Sequence, residues 1–325
     1  MQRALIFRLI AILVAVGWSA PPRAVAADAS WPQRTVRFIL PLGAGSGSDI
    51  GARLFAERLA ARWGQPVVVE NRPGGDAFVA ITAFLAAHDE HTLLLAPTST
   101  FTAHTILHRK LPYDPRDLLP IARITNTLIS ISVPSAIKVG SLKELVGLVR
   151  SEPGRLNRAS ITGALDIVLS GFLKESGLEV ANVPYRDPVQ AVTDLAENRI
   201  QIYTSAYAIV QAQEQAGTVK VLSMTNQTRA PTAPNIPTAA EAGYPALTFD
   251  GLVGLFGPPG MSAALRERIA ADIRAVAAEP GIEPRLIQTG QILNPGTPAE
   301  FGAAVEEQTA KLAAIAHALD LKPED

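Results

Sequence analysis

Short apolar runs of strand length alternate with stretches of helical periodicity along most of the chain. Val36 to Leu40 is followed, after a glycine-rich turn, by Ile50, Leu54 and Leu59, whose spacing places them on one side of a helix. Val67 to Val69 leads through Asn71-Arg-Pro-Gly-Gly75 into a helical stretch over Phe78 to Ala87, and Leu93 to Leu95 leads into Pro97-Thr-Ser-Thr100. This alternation predicts parallel sheets covered by helices. Each predicted strand ends in a polar or glycine-rich turn, which is where open α/β sheets hold ligands.

A second series begins with the β-branched run Leu128 to Val133. Ser141 with Glu144 predicts a capping box ahead of Leu145 to Val149, and Ser160-Ile-Thr-Gly163 precedes a helix reaching about Lys174. Strands follow at Val180 to Pro184, Ile200 to Thr204 and Val219 to Met224, with helices from Pro188 to Glu197 and Ala206 to Gln215. After the proline-rich stretch Arg229 to Pro237 come a strand at Thr248 to Phe256 and helices at Ser262 to Ala278 and Pro298 to Leu319, the last opened by a capping box of Thr297 with Glu300. Crossings near Leu128 and Phe249 predict two α/β lobes joined by a two-stranded hinge. Residues 28–129 with 247–325 form one lobe in this reading, and 130–246 the other.

The most informative turn is Pro41-Leu-Gly-Ala-Gly-Ser-Gly-Ser-Asp49. Gly43, Gly45 and Gly47 at alternate positions suit close backbone approach to a ligand. Ser48 or Asp49 is expected to cap a helix starting at Ile50, whose first N–H groups and positive dipole end attract anions. The spacing matches neither the dinucleotide fingerprint nor a Walker loop, and neither Ser46 nor Ser48 sits in a nucleophile elbow. Two further turns carry hydroxyls at predicted strand ends, Thr98-Ser99-Thr100 and Thr204-Ser205, and Ser160 with Thr162 lie in a third. Together they suit a cleft that reads a small polar ligand with neutral donors. His88-Asp-Glu-His91 and the pair His104 and His108 lack an evident third ligand, so they read as solvated surface rather than a metal site.

Composition narrows the setting. Arg3 and Arg8 flank an apolar stretch, Leu9 to Trp18, that ends near Ala24-Val25-Ala26-Ala27, the layout of a secretory signal over residues 1–27. With 29 basic and 30 acidic residues there is no basic stripe for a nucleic-acid backbone. The chain has no cysteine, which removes disulfides, thiolate metal sites and a cysteine nucleophile. No cofactor is expected. A periplasmic monomer fits these constraints.

Several strings then resemble one family: Trp31-Pro, the Pro41 to Asp49 loop, Trp63-Gly-Gln-Pro-Val-Val-Val-Glu-Asn-Arg-Pro-Gly74, Lys110-Leu-Pro-Tyr-Asp-Pro115, Val183-Pro-Tyr185 and Ile236-Pro-Thr-Ala-Ala-Glu-Ala-Gly243. They are similar to the Bug/TctC family, periplasmic solute-binding proteins of tripartite tricarboxylate transporters. The resemblance implies a periplasmic-binding-protein type II fold that closes on a small organic acid, a di- or tricarboxylate or an aromatic carboxylate, and passes it to an inner-membrane permease. It places Leu42 to Asp49 and Pro97 to Thr100 on one wall of the site. The turn Ser160, Thr162, Gly163 to Asp166 and the strand end Thr204, Ser205 stand on the other. This chain departs from the family pattern at Ser160 to Asp166, at Ser205 where members often carry an aspartate, and after Pro73, where Asp76 and Phe78 replace glycines. Loss of the acid at Ser205 argues against an amino-acid ligand. Two alternatives stay open, an extracytoplasmic sensor of the same fold and a periplasmic hydrolase using Ser46 or Ser99.

Overall fold

The computed structural model describes residues 31–161, 163–185 and 187–323; the expected signal segment and Thr162 lie outside the described residues. The chain runs β1 (Val36–Leu40), α1 (Gly47–Trp63), β2 (Val67–Asn71), α2 (Phe78–Ala86), β3 (Thr92–Pro97), a short α3 (His104–Leu107) and β4 (Leu119–Thr127). It continues with β5 (Ile129–Pro134), α4 (Leu142–Ser151), β6 (Asn157–Ser160), α5 (Ala164–Glu175), β7 (Ala181–Pro184), α6 (Pro188–Ala196), β8 (Tyr203–Ala206), α7 (Tyr207–Gln215) and β9 (Val219–Met224). β10 (Gly251–Gly257), α8 (Ala263–Ala277), α9 (Ile282–Ile287), β11 (Gln291–Leu293) and α10 (Pro298–Leu319) complete it.

The first sheet has the order β11-β4-β10-β3-β1-β2. β1 lies parallel to β2 and β3, whereas β10 runs antiparallel to both its neighbours, β3 and β4. The expectation of parallel sheets holds for β1, β2 and β3 and is corrected for the pairs of β10 and β4. A strand returning from the second half of the chain enters the first sheet from the opposite direction and takes a central place. Its burial explains its composition: every residue of β10 and of β3 is buried, as befits strands covered on both faces. At Gly254 a Cβ would stand 2.2 Å from Cζ of Phe301, so the absent side chain lets α10 lie directly on the sheet.

The second half carries a three-stranded antiparallel sheet, β8-β5-β9, and the parallel pair β6-β7. A parallel bridge between Arg158 and Ile202 joins the two. α4 follows its apolar stripe, burying Leu142, Leu145, Val146 and Val149. Ser141 caps it, but Glu144 reaches back to the N–H of Gly140 rather than to that of Ser141, so half of the expected capping box forms. The box of Thr297 with Glu300 forms in full.

The chain passes from the first sheet to the second at Leu128, between β4 and β5, and back between β9 and β10. The two passages lie side by side. Asn226 accepts the N–H of Ile129 at 2.9 Å and donates to the carbonyl of Thr127 at 2.9 Å, while the N–H of Phe249 donates to the carbonyl of Thr225 at 2.8 Å. α10 touches both halves: Gln308 donates to the carbonyl of Asp250 at 2.7 Å, and Ile315 fits against Gly171 of α5. A shared apolar cluster of Ala103, Ile129, Ala164, Ile167, Val168, Phe249 and Leu312 fills the space between.

Candidate functional site

A cavity of about 510 Å³ opens where the turns of the two halves face each other. The first half contributes Leu42 and Ser46 from the β1–α1 loop, Asp76 and Ala77, and Ser99 and Thr100 after β3. Arg158, Gly163, Asp166, Thr204 and Ser205 come from the second half, and the body of the cavity is apolar, with Ile161, Leu165 and Tyr203 among its walls.

The β1–α1 loop is a hydrogen-bonded unit centred on Asp49. Its carboxylate accepts the N–H of Gly45 at 2.9 Å, the Nε of Arg53 at 3.1 Å and the Nδ2 of Asn71 at 2.8 Å. Asn71 also donates to the carbonyl of Leu42 at 3.0 Å, tying the loop to the end of β2. Burial by itself would raise the pKa of Asp49, but the bonds from Arg53, Gly45 and Asn71 outweigh it and hold the carboxyl below its ordinary range. Asp49 thus supports the loop and does not line the cavity. The helix cap differs from expectation as well: α1 starts at Gly47, not Ile50. Its cap is Ser46, whose hydroxyl accepts the N–H of Asp49 at 3.3 Å, because Asp49 is already turned back onto Gly45.

None of the three glycines is in the lining, and two of them have separate structural reasons. Gly45 has φ +84°, which only glycine takes without strain. A Cβ on Gly47 would stand 2.5 Å from the carbonyl oxygen of Thr289, so this position answers to packing against the segment before β11. A Cβ on Gly43 would meet nothing within 4 Å, so neither packing nor backbone strain requires glycine there. Ser48 is buried between α1 and the first sheet. The N–H groups of Gly47 and Ser48 nevertheless precede the first intrahelical bond, from Ile50 to Ser46, and belong to the positive end of α1 beside the cavity-lining Ser46.

In the β3 turn, Thr98 is buried and its hydroxyl donates to Gln308 of α10 at 2.6 Å, leaving Ser99 and Thr100 to the cavity. Ser160 is likewise buried in β6, its carbonyl accepting the N–H of Tyr185 at 2.8 Å. Thr204 lines the cavity with a buried hydroxyl that has no partner among the described residues. Ser205 does so beside it, its hydroxyl 3.5 Å from the carbonyl of Ala206.

Residues that the sequence did not single out complete the walls. Arg158, 6% exposed in β6, is bonded to Asp166 at the start of α5 and donates to the hydroxyl of Ser170 at 2.8 Å. Its one legible sign is an arginine inside a strand that is otherwise buried. His104, expected on the surface, is 1% exposed and lines the cavity. Its Nδ1 shares a 2.8 Å hydrogen bond with the hydroxyl of Tyr113, and burial pushes its pKa down. His108 Nε2 donates to Asp76 Oδ2 at 2.9 Å. Among the described residues no group of His, Cys, Asp and Glu has the geometry to hold a metal ion. In the stretch His88 to His91, the carboxylate of Asp89 accepts the N–H of His91 at 2.7 Å, an ordinary turn.

Residues 51–321 match the tripartite tricarboxylate transporter family receptors, TctC. The chain belongs to the TctC family. Among TctC relatives, a UPF0065 protein of Bordetella bronchiseptica is 26% identical over 296 residues, covering 90% of this chain and 88% of its own. Rpa4515 of R. palustris, solved with adipate, superposes with a TM-score of 0.79 at 25% identity, over 90% of this chain and all of that one. The periplasmic binding protein BugD shares the fold, with a TM-score of 0.74 at 24% identity, over 90% of this chain and all of BugD. The TctC fold is that of periplasmic binding proteins, two α/β lobes facing each other, and no helix among the described residues is long and apolar enough to cross a membrane.

Proposed function

We propose that this TctC protein is an extracytoplasmic receptor that captures a small organic carboxylate between its lobes and delivers it to a membrane permease. The lobes in this reading are residues 28–129 with 247–325 and residues 130–246, after removal of a signal segment over 1–27. The observation that carries the proposal is the cavity itself. It is closed by turns from both sheets, has the N-terminus of α1 and the hydroxyls of Ser46, Ser99 and Thr100 on one side, and has an apolar body. A helix terminus contributes only about 0.3 to 1 kcal/mol toward an anion, so affinity also requires the water exclusion that the second wall provides. The adipate bound to Rpa4515 supports the same class of ligand.

Hydrolysis by Ser46 or Ser99 fits the geometry poorly. His104 shares their cavity, but its Nδ1 is engaged by Tyr113 and its Nε2 faces Asp76. Among the described residues neither serine therefore has a base in hydrogen-bonding position.

A thermal-shift screen of di- and tricarboxylates, aromatic acids and amino acids tests the capture reading. A ligand at a hundred times its Kd adds about 2.7 kcal/mol to apparent stability, so at least one carboxylate should raise Tm by several degrees. If none does, carboxylate capture is wrong. Delivery to a permease predicts ligand-dependent co-purification with an integral membrane protein, and its absence overturns that part.

A further inference from the structure

Among the described residues the charges lining the cavity do not balance: three formally charged side chains lie in its walls, Asp76, Arg158 and Asp166. Arg158 and Asp166 are bonded to each other, and the guanidinium is further held by Ser170, so this pair offers little net charge to a ligand. Among the described residues no lysine or arginine is ion-paired with Asp76. Its partners are His108, at 2.9 Å, and the buried ring of His104, whose Nε2 lies 3.6 Å away and has no hydrogen bond of good geometry. Both histidines contact Oδ2 of Asp76, and the side chain remains 40% exposed.

The backbone beneath Asp76 is built for this placement. Gly74, Gly75, Asp76 and Ala77 all have positive φ, of 95°, 57°, 49° and 66°. Left-handed geometry at a residue other than glycine is strained and persists where surrounding structure imposes it. Here the run turns the chain between β2 and α2 so that Asp76 reaches the cavity wall beside α3. Phe78, whose ring lies 4.5 Å from that of His104 at a tilt of 48°, packs the two segments together.

We propose that Asp76 is the specificity-determining contact for a positively charged group on the ligand, so that the preferred ligand is an amino carboxylate rather than a di- or tricarboxylate. The inference rests on carboxylate capture as proposed above. A second carboxylate would stand against Asp76 in a largely apolar cavity, where like charges repel strongly. An ammonium would be neutralised there instead. The acid missing at Ser205 is thus supplied from the opposite wall.

Calorimetry on the purified protein with four five-carbon probes tests this: pentanoate, glutarate, 5-aminopentanoate and pentylamine. 5-Aminopentanoate should bind about tenfold or more tightly than glutarate. Asp76→Asn keeps a residue that tolerates positive φ, and should bring the affinities for 5-aminopentanoate and glutarate to within about threefold of each other. Glutarate binding as tightly as 5-aminopentanoate overturns the proposal, as does an unchanged ranking in D76N. If the variant does not fold, the wild-type ranking alone decides. Pentylamine matching 5-aminopentanoate would overturn carboxylate capture while leaving the role of Asp76 intact, and no binding by any probe overturns both.

Discussion

The two walls of the cavity are organised on different principles. The β1–α1 wall is held by short-range hydrogen bonds: Asp49, Asn71 and Arg53 lock Gly45 and Leu42 in place, and the ligand side shows mainly hydroxyls and the start of a helix. The β6–α5 wall is held by one ion pair, Arg158 with Asp166, in which the guanidinium is nearly buried and the carboxylate retains some contact with solvent. In the β1–α1 loop the charges serve the backbone and are withdrawn from the cavity, so that Asp76, from the neighbouring turn, is the carboxylate this half presents to the lining. In the second wall the charges stand in the lining itself. On the carboxylate-capture reading proposed above, the backbone donors of the first wall would take the carboxylate, and the ion pair of the second would restrict the distal part of the ligand.

The largest expected effect breaks the second wall. Arg158→Met leaves Asp166 partly buried without its partner and should cost about 2–3 kcal/mol in urea unfolding, below the range for fully buried pairs because the carboxylate is partly solvated. Replacing both residues with apolar side chains should recover most of the loss. If R158M alone is neutral, the ion pair does not support this wall.

The first wall should yield next, and unevenly. Gly47→Val drives a branched side chain into the Thr289 carbonyl and should cost about 1–3 kcal/mol. Gly43→Ala, with open space around it, should stay within about 0.5 kcal/mol. Equal effects on Tm at the two positions would contradict the separate roles assigned to these glycines.

The smallest of the principal effects concerns Asp49→Asn. It should lower stability by about 1 kcal/mol at pH 7 and loosen the loop enough to weaken ligand binding several-fold. Because the folded-state pKa of Asp49 lies below its unfolded value of 3.8, its stabilising charge is present above that value and lost as pH falls through the folded pKa. The gap in stability between wild type and D49N should therefore be constant from pH 5 to 8, about the range in which carboxylates stay ionised, and should close under more acidic conditions. A gap that widens with acid would rule out this role.

Much of the fold was legible because strand and helix periodicities are local. The runs at Val36 to Leu40 and Val219 to Met224 coincide with β1 and β9, and the stop and start signals around α8 and α10 coincide with their ends. β4 was not legible. Its sequence, with Pro120, Arg123 and Asn126, shows neither a continuous apolar run nor clean alternation, and its bulged pairing with β10 explains why. β11 is three residues long and takes its strand character from β4 alone.

The site divides in the same way. Ser46, Ser99, Thr100, Thr204 and Ser205 were visible as hydroxyls at strand ends, since the end of a strand is a local property. Which of them turn inward was not, and Thr98 and Ser160 are buried by contacts with distant elements. By itself, the sequence determined the α/β alternation, the family and a glycine-rich turn beside a helix start, because these depend on neighbours along the chain. Only the tertiary structure decided that β10 enters the first sheet antiparallel, that Asp49 serves the loop rather than the ligand, and that Asp76, His104 and Arg158 reach the cavity. Each of those outcomes depends on charges and carbonyls brought together from separate elements, and burial makes such pairings decisive only once the chain has folded.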